Sequence, residues 1–211
     1  SWIAKESSGL PATRTGLDER GLFQMHPHEA DDLTVPRGEF DRLLHGTPDD
    51  SDGDFGVQMG VRLINEVHRK RAERYLEAAG ATFTGRSLWT MVKCVHALPM
   101  LAKTLPQLYL KDMGVAPQTW DEMRNHAHVL ADKGDTRLAW VARYSKDVRK
   151  TPASGLARLL RNAEETASVV KDVSDEEETS VVPLQKQPQV CITPERSAWD
   201  HLRAFLSRLF S

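Results

Sequence analysis

From Val57 onward the apolar residues fall three and four apart, and no segment shows the apolar–polar alternation of a half-buried strand. That spacing points to an all-α fold, and no internal repeat is present. Val57, Val61, Ile64, Val67, Ala72, Tyr75, Leu76 and Ala79 share one helical face. Arg69, Lys70, Arg71 and Arg74 cover the other as a solvated surface, and Gly80 ends the run. A further helix is expected from a Ser87 cap, with Leu88, Trp89, Val92 and Val95 inward and a stop before Pro99. Leu101, Leu105 and Leu108 continue beyond it to Gly114. Thr119-Trp120-Asp121-Glu122 has the form of a capping box and starts a helix that runs to Gly134. Another is expected over 137–149, with Leu138, Val141, Ala142 and Val148 toward the core.

The flanks differ in character. Residues 7–54 are rich in loop signals, with Pro11, Pro27, Pro36 and Pro48 and an acidic stretch at 49–54; short helices are expected around 25–33 and 40–44. Beyond Pro152 a helix carrying Leu156, Leu159, Leu160, Ala163 and Ala167 leads into the acids of 174–180. The organisation expected is a domain at 1–150, a helix with an acidic end at 151–178, a proline-containing linker at 179–195 and an amphipathic helix at 196–211. In the last, Trp199, Leu202, Phe205, Leu206, Leu209 and Phe210 form one stripe opposite Arg203, Ser207 and Arg208. Such a helix docks on the domain or a partner protein, or lies on a membrane surface.

Residues 1–150 hold 21 Lys and Arg against 21 Asp and Glu, so no nucleic-acid partner is expected. No apolar run approaches the roughly 20 residues of a membrane span. Cys94 and Cys191 are expected as two separate thiols rather than a bridge. The chain begins with Ser and shows no signal-peptide pattern, so it reads as processed or cut from something longer.

The chemistry concentrates near the start. Glu6 precedes Ser7 and a polar loop that closes with Gly21-Leu22-Phe23-Gln24-Met25. A carboxyl close to Leu22, Phe23 and Met25 keeps its proton near neutrality, because desolvation disfavours the charged form. A protonated carboxyl in a cleft is what glycosidic cleavage requires, and no second carboxylate is singled out by spacing. That fits a mechanism in which the sugar's own N-acetyl group assists. The pairs His26/His28 and His126/His128 are no metal site by spacing, since i,i+2 side chains on a helix diverge. No cofactor is implied.

The stretch resembles the soluble lytic transglycosylase family of goose-lysozyme-like enzymes, in a divergent phage-type form. The shared features are Glu6-Ser7, a fifteen-residue step to Gly21, then Leu22-Phe23-Gln24 and Pro27. The segment at 52–64 is similar to a second family motif, with Gly60 as its Gly and with Gly56 and Leu63 replacing the usual Asn and Tyr. The segment at 91–99 is similar to a third, with Val95 and His96 for the usual Tyr and Asn. The resemblance spans about 1–110. It implies a lysozyme-like domain that lacks most of its first helix, acting on peptidoglycan glycan strands in the periplasm or cell wall. It assigns Glu6 as acid and base, Ser7 and Gln24 as contacts to the N-acetyl group or to Glu6, Gly21 as a point of close backbone approach, Phe23 and Met25 as an apolar wall, and His96 as a cleft residue. Val95 and Gly56 point instead to an alternative, opposed by Glu6, Ser7 and Gln24: a degenerate domain that binds glycan without cleaving it, or a structural part of a larger assembly.

Overall fold

The computed structural model describes Ser7, Leu10, residues 12–45 and residues 51–177, with side chains for all of these but Ser51 and 166–177. Among them the chain is all-α: eight α-helices, a π-helical segment and a 3-10 helix, with no strand and only two isolated backbone bridges. Glu6, the linker at 179–195 and the stripe at 196–211 lie outside the described residues. Contacts divide the chain into two units, Ser1–Leu63 with Val169–Ser211, and Ile64–Ser168.

In the first unit, α1 (Pro27–Asp32) begins with a proline, whose fixed φ suits a first turn. His26 caps it: its ring nitrogen accepts the His28 N–H, and Glu29 accepts the His26 N–H at 2.9 Å. The helix expected at 25–33 is therefore confined to six residues. The one expected at 40–44 lies earlier, as α2 (Arg37–Arg42). The acidic stretch is not wholly loop. Ser51–Arg62 form α3, with Asp52 and Asp54 in a first turn whose free N–H groups favour negative charge. Arg42 secures that turn, donating to Asp52 at 2.8 and 3.0 Å while its guanidinium lies 4.2 Å from the Phe55 ring centroid. The expected start at Val57 is thus six residues late.

The chain continues through a π-helical segment (Leu63–Arg69) into α4 (Lys70–Glu77), and Gly80 turns it with φ +68°. In the second unit, α4, α5 (Gly85–Ala97) and α6 (Pro99–Met113) pack on one another, and α7 (Trp120–Asp132) packs on α5 and α6. Every residue from Leu88 to Val95 is buried. At about 2 kcal/mol for each fully covered aliphatic side chain, this helix anchors the unit. It starts two residues ahead of Ser87, with Thr84 at the N-cap; Ser87 instead accepts the Trp120 N–H through its Oγ at 3.2 Å. Gly114 ends α6 in the left-handed region, as the sequence indicates. Thr119 caps α7 through the Glu122 N–H, but Glu122 accepts from Gln118 rather than closing the box on Thr119.

The helix expected over 137–149 is a 3-10 helix at Thr136–Tyr144. Leu138 and Val141 are buried, whereas Val148 is fully exposed. After Val141 the positions three and four on are Tyr144 and Ser145, and Pro152 disfavours a helical Thr151, so no apolar face carries the helix further. Then α8 (Pro152–Glu177) follows. Trp120 donates its indole N–H to Glu164 at 3.0 Å, tying α7 to α8. A buried, unbridged Cys94 faces the same interior, its thiol pushed up to about 12 by burial first and the Glu164 charge second.

An ion cluster braces α6, α7 and the 3-10 helix. Arg137 donates to both oxygens of Asp112 at 2.7 and 2.8 Å and to Asp135 at 2.6 Å, and His126 lies 3.0 Å from Asp112. The Arg137 hydrogen bonds hold both carboxyls down at about 2. An unfolded Asp titrates near about 3.9, so the cluster stabilises the fold above that pH and is lost as pH falls through about 2. Asp112→Asn should therefore lower the melting temperature at neutral pH. Thermal melts across acid pH should show the wild-type and variant curves converging as pH drops through the interval between those two values.

Candidate functional site

The Gly21–Gln24 segment is a closed turn. Arg20 and Met25 exchange both backbone hydrogen bonds at 2.9 Å, and a second bridge joins Arg14 to Arg20. Gly21 has φ +75°, which its lack of a β-carbon permits, and Leu43 Cβ would stand 3.3 Å from any β-carbon placed there. The Gly21 carbonyl accepts twice, from the Gln24 backbone N–H at 3.1 Å and from Gln24 Nε2 at 2.7 Å. Gln24 is buried, sits at φ +51° in the left-handed region, and its Oε1 has no hydrogen-bond donor among the described residues. A buried amide oxygen left without a donor costs about 1–3 kcal/mol, which makes it an acceptor in want of a ligand or a neighbour.

Arg20 locks the turn in place. It is buried, donates to both oxygens of Asp18 at 3.0 Å and to Asp41 of α2, and stacks 4.2 Å from the Phe40 ring centroid. The Arg20 hydrogen bond lowers the Asp18 carboxyl, and Asp18 in turn raises Arg20. Neither Arg20 nor Asp41 stands out in the sequence, because a lone Arg in a polar loop looks solvated.

Phe23 lies against Gly60 of α3. A β-carbon on Gly60 would fall less than 3.0 Å from Cγ, Cδ2 and Cε2 of the Phe23 ring. Ser7 is buried and its carbonyl accepts the Leu10 N–H at 3.0 Å. Phe23 and Met25, 5% and 1% exposed, are packed into the protein rather than forming an open wall. Ser7, Gly21, Phe23, Gln24 and Met25 all belong to the first unit.

His96 belongs to the second. It lies at the end of α5 with Nδ1 3.0 Å from Nε2 of His68, ring centroids 4.8 Å apart and nearly perpendicular. His68 is wholly buried, and burial first, with His96, Arg71 and Lys93 after it, holds its ring down at about 2, so it is neutral at physiological pH. Lys93 is also wholly buried. The sequence carried no signal for Lys93: Arg86, Thr90 and Lys93 lie four and three apart and share what reads as a solvated face of the helix. His26 and His28 serve the α1 cap, and His126 serves the Asp112 cluster.

Comparison of the chain with protein-family models, with curated proteins and with solved structures gives no match.

Proposed function

We propose that this chain is a peptidoglycan lytic transglycosylase with a lysozyme-like domain, working in the periplasm or cell wall on glycan strands. The observation that carries the reading is the seating of Phe23 on Gly60. Two separate stretches that resemble motifs of one family meet there, Phe23 of the first lying against Gly60 of the second. The buried Gln24, with an Oε1 that no described residue donates to and a tethered Nε2, supports it as a group able to receive a hydrogen bond from a substrate N-acetyl N–H or from protonated Glu6.

In this reading Glu6 gives its proton to the glycosidic oxygen between N-acetylmuramic acid and N-acetylglucosamine as the C1–O bond breaks. The N-acetyl group stabilises C1. Glu6 then takes the proton of the muramoyl C6 hydroxyl, whose oxygen bonds to C1 and closes a 1,6-anhydro ring. A second reading is favoured by the buried Val95, which has no hydroxyl where the family's motif carries Tyr: a domain that binds glycan without cutting it.

Digestion of purified sacculi, with mass spectrometry of the released muropeptides, tests both. Anhydro-ended products are expected, falling by roughly a hundredfold or more in Glu6→Gln, the usual loss on removing a general acid. Sacculus binding without release favours the second reading; reducing-ended products mean hydrolysis and overturn the first.

A further inference from the structure

We propose that the end of the 3-10 helix, the 145–151 loop and the first turns of α8 form a docking face for anionic phospholipid. The proposal is independent of the glycan reading. Between 143 and 161 the chain carries Arg143, Lys146, Arg149, Lys150, Arg158 and Arg161, with Asp147 as the one acid. All six cations are exposed. None of them has a carboxylate partner among the described residues: Arg143 contacts the Trp140 and Tyr144 rings and the Tyr144 hydroxyl, and Arg158 donates to the Tyr144 carbonyl at 2.6 Å.

The face is built. Buried Ser145 accepts the Asp147 N–H at 3.0 Å and receives a hydrogen bond from Ser154 at 2.7 Å, while Thr151 bonds Ser154 at 2.9 Å. The loop is thereby tied back to α8 at both ends, and its cations are presented from a fixed support. Trp140 and Tyr144, four residues apart, are half-buried, the pose of amphipathic rings at a headgroup boundary. Val148 projects fully into solvent at the loop tip, between Lys146 and the Arg149-Lys150 pair.

These features select lipid among phosphate-rich polyanions. A single-stranded nucleic acid needs open aromatic faces for its bases, but Trp140 and Tyr144 are half-buried and each has one face against the Arg143 guanidinium, 5.5 and 4.8 Å from the ring centroids. An exposed valine gives nucleic acid nothing, whereas at a bilayer it enters the interface while the surrounding cations meet lipid phosphates. No helix among the described residues is long and apolar enough to cross a membrane, so the contact proposed is with the surface.

The test is flotation of the full chain with vesicles of phosphatidylcholine alone or mixed with phosphatidylglycerol, at low and high salt. Binding is expected only to the mixed vesicles and should be released by salt. The triple variant Lys146→Ala/Arg149→Ala/Lys150→Ala should weaken it on the order of a hundredfold, from the usual worth of three basic side chains near an anionic surface. Val148→Asp should weaken it further, with circular dichroism unchanged because these side chains are exposed. A triple variant that floats like wild type, including through the stripe at 196–211, overturns the proposal. So does absence of flotation, or tighter retention of a labelled single-stranded oligonucleotide lost in the same variant.

Discussion

Under the proposed glycan-cleaving function, Gly60→Ala should strongly lower cleavage while leaving the helices formed. The added methyl has no room, since it would overlap three carbons of the Phe23 ring, and that ring belongs to the turn that presents Gln24. Overpacking of this kind costs about 1–3 kcal/mol, against the gain of up to about 1 kcal/mol that alanine brings to a helix interior. The ring yields more easily than α3, so the displacement falls on Gly21–Gln24 and on the hydrogen bonds at the Gly21 carbonyl. Far-ultraviolet circular dichroism should change little, while muropeptide release and binding to sacculi both fall. Phe23→Leu combined with Gly60→Ala makes space for the methyl and should recover part of the loss. A double variant no better than Gly60→Ala would show that the glycine matters for some reason other than the ring.

Gly155→Ala should do the opposite, harming the fold as a whole. A β-carbon there would run into the carbonyl oxygen and carbon of Val141, which are main chain in the 3-10 helix. No rotamer change relieves that overlap. Either α8 moves off the 3-10 helix, or the 3-10 helix shifts and carries Leu138 and Arg137 with it. A cost of about 3 kcal/mol is expected, which lowers the melting temperature by roughly 6–12 °C in a chain of this size. Truncating any neighbouring side chain should fail to rescue it, because the obstacle is backbone. Differential scanning calorimetry on the full chain decides it, and an unchanged melting temperature would contradict the close packing of α8 on Val141.

The helices were legible wherever apolar spacing was regular, since burial of a face leaves a period in the sequence. Their edges were legible only where one residue type decides them. Gly80 and Gly114 stop helices because each takes a left-handed φ. Caps were harder. Thr84 and Ser87 are hydroxyls three apart, and the sequence does not reveal that Ser87 is engaged by the distant Trp120. The acids at 52 and 54 look like loop until the helix end they stabilise is recognised. In the candidate site the Gly-Leu-Phe-Gln turn was readable as a motif, but its lock was not, because Arg20 reaches Asp41 across 21 residues. The basic face is hidden in the sequence for a simpler reason. Charge summed over 1–150 balances, and that boundary divides Arg143, Lys146, Arg149 and Lys150 from Arg158 and Arg161.

The eight consecutive buried positions of α5 bear on how the molecule comes to exist at all. A rod with no wet side gains little by forming early, and part of its cover, α6 and α7, is translated after it. During synthesis Leu88–Val95 must therefore wait as a partly uncovered apolar segment, the natural place for a chaperone to hold the nascent chain. Once the later helices close over it, its amides should be the last to exchange with deuterium, opening only when the unit as a whole unfolds.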